Sequence, residues 1–312
     1  MFLSGNAFEF HRGMLTLHRM ENAIHGHDRE HLAGTHLIPP LGKRFFRSSH
    51  SRMLPSFFII GAQKAGTTSL AQYLLAHPQV ITPQRKDIYF FNNAEHFKKG
   101  IDWYRAHFPH KFYKCWKEIS RSRKDLVTFD PTPNYFAAGS AAQRLHQHFP
   151  ETKLIILLRD PVERAYSNYR MCVHHQFEKL SFEDALKYED ERVAHEKKNS
   201  PDGIPHSYVL QRLTYRTQGL YAQQLREWKK YFRDEQLMIV KSEDMFADPA
   251  KVYSDLLRFL GLTSFANVAF EQYNKGKIET GMLPETRKAL QEFYRKPNEE
   301  LYDLIGRNMN WD

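Results

Sequence analysis

A loop that contains two glycines and one lysine is the first segment of this sequence with residues suited to chemistry. It reads Gly61-Ala62-Gln63-Lys64-Ala65-Gly66-Thr67-Thr68, and its glycines have the spacing of a phosphate-binding loop. The backbone N–H groups of such a loop, together with the N-terminus of a following helix, can surround a phosphate. Thr67 stands where P-loop nucleotide-binding proteins have a lysine, and the lysine lies earlier, at position 64. The alternative is an ordinary glycine turn, which the lysine and the two threonines disfavour.

An arginine at the end of an apolar run is the second candidate. The run 154–158 consists only of leucine and isoleucine, and Arg159-Asp160-Pro161 follows it. A guanidinium at the carboxyl end of a buried strand can bind a phosphate through two parallel hydrogen bonds. A capped helix start explains Arg-Asp-Pro equally well. The motif therefore indicates a phosphate site only in combination with the glycine loop about 95 residues upstream.

Strands and helices alternate from Pro55 onward and would position both motifs. The predicted strands are 57–60, 126–129, 154–158 and 237–240, and the predicted helices are 67–76, 162–176, 220–232, 249–260 and 284–305. Short apolar runs that alternate with helices are typical of a mainly parallel sheet covered on both faces. We predict an α/β fold of the P-loop type with helices on both faces of its sheet, in a single domain over 55–312. A loosely ordered extension over 1–54 is expected to precede it.

The composition is that of a folded, basic protein. Its 312 residues are 41% apolar and 14% aromatic, which excludes a wholly disordered chain. The excess of 45 Lys and Arg over 36 Asp and Glu gives a net charge of +9, which favours an anionic ligand. No apolar run approaches the roughly 20 residues of a membrane span, and no signal-peptide core is present. Because Cys115 and Cys172 are the only cysteines, we expect a reducing, cytoplasmic location.

The two motifs together resemble those of sulfotransferases that use 3′-phosphoadenosine 5′-phosphosulfate (PAPS). Phe58–Leu70 is similar to the family's 5′-phosphosulfate loop, and Leu157–Tyr169 is similar to its second signature. The resemblance implies that Arg159 and Ser167 hold the 3′-phosphate of PAPS. It also implies contacts with the 5′-phosphate from the residues of the loop, which are Lys64, Ala65, Gly66, Thr67 and Thr68.

Other segments resemble one branch, the heparan sulfate N- and 3-O-sulfotransferases and their bacterial relatives. Lys86–Phe91 is similar to the branch's K-E-x-x-F-F, and Asp130–Phe136 is similar to its E-K-T-P-x-Y-F. The similarity covers about Pro55 to the end of the chain. It implies PAPS as co-substrate, no metal, and transfer to a hydroxyl or amine of an acceptor. A carbohydrate acceptor is favoured, while a lipid or a small metabolite stays open.

A basic turn near the C-terminus has a weaker resemblance. Tyr273–Lys277 is similar to a family stretch that reaches back to the nucleotide, which implies PAPS contacts from Lys275 and Gly276. An ordinary basic surface turn explains these residues equally well.

Two carboxylates compete for the role of general base. Asp87 stands at the position of the family's catalytic glutamate, and Asp130 replaces a second family glutamate. We favour Asp87 as the base and Lys64 as the group that stabilises the leaving oxygen. Lys86 and Asp130 are assigned to acceptor binding. Pro131 stands where the branch has a lysine, so one substrate-side cation is missing.

Two other classes of function fit the sequence less well. A P-loop kinase needs a lysine directly after the loop and an aspartate that holds Mg²⁺, whereas the residue after the run 154–158 is Arg159. A nucleic-acid-binding protein would spread basic residues over one face, and the aromatic and basic residues of 89–116 could stack on bases. We expect those aromatics to form mostly core, and we predict no nucleic-acid partner. The histidines of 25–31 could bind a metal, although a solvated extension explains them better.

Overall fold

The computed structural model describes residues 49–120, 125–198, 208–273 and 281–311. Its central feature is a parallel sheet of four strands in the order β2-β1-β3-β4. The strands are β1 Phe57–Gly61, β2 Phe129–Pro131, β3 Lys153–Leu158 and β4 Leu237–Lys241. The α/β fold with a P-loop-like parallel sheet that the sequence predicts is confirmed.

The helices of the described residues follow in chain order. They are α1 Thr67–Leu75, α2 Ala94–Lys98, α3 Gly100–Arg105, α4 Lys111–Ser120, α5 Gly139–His148, α6 Pro161–His174, α7 Phe182–Lys187, α8 Glu189–Lys198, α9 Tyr208–Arg212, α10 Tyr221–Lys229, α11 Ser242–Ala247, α12 Pro249–Leu260 and α13 Pro284–Ile305. Within the described residues, no helix is both long and apolar enough to cross a membrane.

The core lies around the two central strands. Every residue of β1 is buried, and Leu154–Leu158 of β3 are fully buried. Because successive side chains of a strand point to opposite faces, both faces of the sheet must be covered. The aromatics after position 89 extend this core, since Phe90, Phe91, Tyr104 and Phe108 are also fully buried.

Strand β2 begins three residues later than predicted and ends two residues later. The apolar run at 126–129 pairs first with an irregular segment, because Ile81 N donates to Val127 O at 2.8 Å. The strand then continues through Asp130 and Pro131, residue types that a strand pattern does not favour. Proline is tolerated here because β2 is the edge of the sheet.

The predicted N-terminal extension ends too late in the chain. Arg52 is buried and donates hydrogen bonds to Phe108 O at 2.9 Å and to Gln84 Oε1 at 3.0 Å. Met53 is also buried, and its N–H donates to Pro109 O at 2.8 Å. Residues 49–54 therefore pack with the residues of the predicted domain. The histidines of 25–31 lie outside the described residues.

Candidate active site

The glycine loop joins β1 to α1, as the sequence predicts. Gly66 precedes the helix with φ at 93°, in the left-handed region that favours glycine. No side chain caps the N-terminus of α1, and its first turn contains no acidic residue. The N–H groups of a first helical turn have no partner within the helix, so this end of α1 is suited to binding an anion.

One amide of the loop is already engaged. Ala65 N donates to Ala62 O at 3.2 Å, so the predicted phosphate contact from this N–H group has a competing partner inside the loop. The carbonyl of Ala65 accepts a hydrogen bond from Ser242 Oγ at 2.8 Å. Ser242 is the first residue of α11. This contact fixes the loop against the end of β4, next to the central sheet.

Lys64 lies in the loop among other cations. Burial lowers the pKa of Lys64 to about 8, and the positive charges of Arg159 and Lys86 act in the same direction. The carbonyl of Lys64 also accepts a hydrogen bond from the Arg159 guanidinium at 3.3 Å. The structure thus brings together the two motifs that lie far apart in the sequence. An anion bound here would neutralise several positive charges at once.

Arg159 follows the last residue of β3, as predicted. Asp160 caps α6, since its carboxylate accepts hydrogen bonds from Val162 N at 2.7 Å and from Glu163 N at 3.2 Å. Glu163 lies 3.7 Å from the Arg159 guanidinium, and the Arg159 side chain is 31% exposed. Ser167 lies about two turns further along α6 and is half-buried. Both residues that the resemblance assigns to the 3′-phosphate are therefore partly open to solvent.

Lys86 contacts the helix that follows the loop. Its Nζ donates a hydrogen bond to Thr68 Oγ1 at 2.7 Å. Thr68 belongs to the first turn of α1. The sequence assigns Lys86 to the acceptor, whereas this contact brings its charge to the predicted phosphate site as well.

Asp87 is half-buried beside these cations. Its Oδ1 atom is buried without a hydrogen-bond partner, and its backbone has φ at 56°. Burial raises the pKa of Asp87, while the positive charges of Lys86, Arg212 and Arg85 oppose that rise. A carboxylate with a raised pKa accepts protons more readily, as a general base must. The sequence motifs did not identify Arg212 and Arg85 as residues of this site, because neither belongs to a motif.

Asp130 has a different environment. It is fully buried, and its carboxylate accepts hydrogen bonds from the hydroxyls of Thr132 at 2.5 Å, Tyr104 at 2.8 Å and Tyr135 at 3.1 Å. Burial raises the pKa of Asp130 to about 6, although the three hydroxyls act against it. This burial does not favour the predicted contact between Asp130 and the acceptor, which stays a prediction. Its oxygens face protein hydroxyls and have no exposed surface.

Lys275 and Gly276, the C-terminal candidates for PAPS binding, lie outside the described residues. The chain just before them runs along α1. Tyr273 N donates to Ser69 Oγ at 3.0 Å, and the Tyr73 hydroxyl donates to Glu271 O at 2.9 Å.

Comparison with known proteins agrees with this geometry. The family model described as a sulfotransferase domain matches residues 54–299. The heparan sulfate glucosamine 3-O-sulfotransferase 3B1 of Mus musculus is 29% identical over 291 residues, with 86% of this chain and 67% of that protein covered. The bifunctional heparan sulfate N-deacetylase/N-sulfotransferase 4 of Mus musculus is 32% identical over 283 residues, with 81% of this chain but only 30% of that larger protein covered.

A solved structure has the same fold. The crystal structure of a sulfotransferase from Alicyclobacillus acidocaldarius is similar with a TM-score of 0.63 and 28% identity, covering 82% of this chain and 98% of that chain. The family model spans both the glycine loop and the Arg159 motif. The chain therefore belongs to the sulfotransferase domain family, and it is a PAPS-dependent sulfotransferase.

Proposed function

We propose that this enzyme transfers the sulfuryl group of PAPS to a hydroxyl or amine of a carbohydrate or glycoconjugate, with Lys64 and Asp87 as catalytic residues. The observation that carries the proposal is the hydrogen bond from Lys86 Nζ to Thr68 Oγ1 at 2.7 Å. It joins the segment that contains Asp87 to the uncapped end of α1. A carboxylate that can accept a proton thus lies next to a site that can hold an anion.

The residues of the loop fit the phosphates of PAPS. The co-substrate supplies an activated sulfuryl group attached to its 5′-phosphate. The first turn of α1 offers unpaired N–H groups and no acidic side chain to that phosphate. Arg159 and Ser167 hold the 3′-phosphate. Lys64 stabilises the negative charge that develops on the leaving oxygen, because transfer of this kind depends mainly on positioning and charge neutralisation.

Asp87 takes the proton from the acceptor. Burial raises the pKa of this carboxyl, and the positive charges of the neighbouring Lys86, Arg212 and Arg85 oppose that rise. The same cations act on the carboxylate that the reactive group of the acceptor must reach. An acceptor with negative charges near its reactive group is therefore favoured. Two relatives are named as heparan sulfate sulfotransferases, which supports a carbohydrate of that kind.

A transfer assay with ³⁵S-labelled PAPS tests the proposal. Acidic glycans, glycolipids and small-metabolite extracts are offered separately, and labelled products are identified. We expect label in the acidic glycans, which Asp87→Asn abolishes and Asp303→Asn leaves intact, since Asp303 is exposed on α13. Label in the lipid or metabolite fraction alone would overturn the carbohydrate assignment. A parallel reaction with labelled ATP and Mg²⁺ tests the kinase alternative, and we expect no transfer.

A further inference from the structure

The segment that contains Asp87 has an unusual backbone. Asp87 and Tyr89 have φ at 56° and 53°, in the left-handed region that residues other than glycine rarely adopt. The side chains of the alternate residues, Ile88 and Phe90, are fully buried. A backbone of this kind persists only when its surroundings fix it.

Two hydroxyl groups bind the N–H groups of this segment. Ile88 N donates to Thr132 Oγ1 at 3.1 Å, and Phe90 N donates to the Tyr135 hydroxyl at 3.2 Å. Each amide follows one of the two left-handed residues directly. The positions of Thr132 and Tyr135 thus determine where the backbone of 87–90 runs.

Both hydroxyls in turn donate to one carboxylate. Thr132 Oγ1 lies 2.5 Å from Asp130 Oδ1, and the Tyr135 hydroxyl lies 3.1 Å from Asp130 Oδ2. A hydroxyl has one proton, so donating it to Asp130 leaves the lone pairs of the oxygen to accept from the amide. Residue 130 must therefore be a group that only accepts hydrogen bonds, so that both hydroxyl protons point toward it and both oxygens can accept from the amides.

We propose that Asp130 is a positioning residue that places the Asp87 carboxylate through Thr132 and Tyr135, without touching the acceptor. This inference rests on the proposed role of Asp87 as the base. The full burial of Asp130 separates it from any acceptor. An asparagine at 130 would donate where the carboxylate accepts, so one hydroxyl would have to turn its proton away from its present partner.

Tyr104 provides a matched control. Its hydroxyl also donates to Asp130 Oδ2, at 2.8 Å, but the hydrogen bonds from the amides of 88 and 90 go to Thr132 and Tyr135. Tyr135→Phe and Tyr104→Phe remove the same group from the same carboxylate oxygen. Only the first also removes an amide contact of the Asp87 segment.

The test compares kcat in these variants. We expect Tyr135→Phe and Thr132→Val to lower kcat by about 10- to 100-fold, as small misplacements of a reacting group do. Tyr104→Phe should cause a loss at least about tenfold smaller than that of Tyr135→Phe, and Thr132→Ser, which keeps the hydroxyl, should retain most of kcat. The affinity for adenosine 3′,5′-bisphosphate, measured by titration calorimetry, should stay within about threefold in every variant.

Hydrogen exchange gives a readout that does not depend on turnover. Peptides that span 86–91 should exchange faster in Tyr135→Phe than in the wild type, and no faster in Tyr104→Phe. Equal kcat losses in the two tyrosine variants, with equal exchange, would overturn the inference.

A double variant separates this inference from the proposed function. If Asp87 is the group being positioned, adding Tyr135→Phe to Asp87→Asn should lower kcat no further. A full additional loss would overturn the positioning role while leaving Asp87 as the base. Normal turnover by Asp87→Asn alone would overturn the proposed base, and the inference with it.

Discussion

The ammonium group of Lys86 donates a hydrogen bond to the Thr68 hydroxyl at 2.7 Å. These residues lie 18 positions apart in the chain. Their contact links the first turn of α1, where an anion can bind, to the neighbouring carboxylate of Asp87. One hydrogen bond therefore links the proposed 5′-phosphate site to the segment that contains the proposed base.

Replacing Arg159 should affect one phosphate of the nucleotide. We expect Arg159→Ala to weaken binding of adenosine 3′,5′-bisphosphate by about 2–3 kcal/mol, the scale of a hydrogen bond between charged groups. Adenosine 5′-phosphate should bind the variant and the wild type equally. Titration calorimetry measures both, with Arg226→Ala as control because Arg226 is paired with Glu300 on the surface. A similar loss for both nucleotides would show that Arg159 does not bind the 3′-phosphate.

The pKa of Lys64 predicts a loss of activity at alkaline pH. Burial lowers this pKa to about 8, so Lys64 becomes neutral as the pH rises through that value. Because the charged form is needed, kcat/KM for PAPS should fall above a pH of about 8. In Lys64→Arg the fall of kcat/KM at alkaline pH should disappear, because a guanidinium stays charged there. This holds even if the variant is slower at every pH. If kcat/KM of Lys64→Arg fell at the same pH as in the wild type, the titrating group would be one other than Lys64.

Gly66 should not tolerate a side chain. A Cβ atom there would lie 2.9 Å from Met245 Cε and from Phe246 Cζ, and φ at 93° is unfavourable for alanine. We expect Gly66→Ala to lower the free energy of unfolding by about 1–3 kcal/mol and to weaken PAPS binding. Gly139→Ala, at the start of α5, meets no atom within 4 Å and should be neutral or stabilising. Urea denaturation compares the two, and equal stabilities would contradict the account of the loop.

The pKa of Asp130 predicts how stability varies with pH. Burial raises this pKa from 3.8 to about 6, so the folded state binds the proton more tightly than the unfolded state. The resulting stabilisation is fully present below pH 3.8 and is lost as the pH rises through 6. Relative to Asp130→Asn, the wild type should lose about 3 kcal/mol over this range. A constant difference in unfolding free energy between the two proteins would contradict the raised pKa.

The helices at the C-terminal end could be predicted to the residue. Helices α12 and α13 both begin with proline and end before a glycine with positive φ, Gly261 and Gly306. These signals are local, so the sequence alone contains them. The prediction for strand β2 began three residues and ended two residues too early, because the bounds of this strand depend on pairing with β1, which lies about 70 residues earlier.

The residues of the candidate site also fall into two groups, those marked by a local motif and those brought in by tertiary contacts. Lys64, Arg159 and Asp87 belong to motifs and could be predicted. The positioning role that we propose for Asp130 could not, because Tyr104, which donates a hydrogen bond to it, lies 26 positions away. Arg212 approaches Asp87 from α9, and no local pattern marks it.

The turnover of Asp87→Asn tests the central claim most directly. The asparagine keeps the size of the side chain but cannot take a proton at neutral pH. With the acceptor found in the labelled-sulfate assay, kcat should fall by about 10²–10⁴, while affinity for adenosine 3′,5′-bisphosphate stays within about threefold. Wild-type turnover in this variant would contradict the account, because the proton would then leave the acceptor by another route.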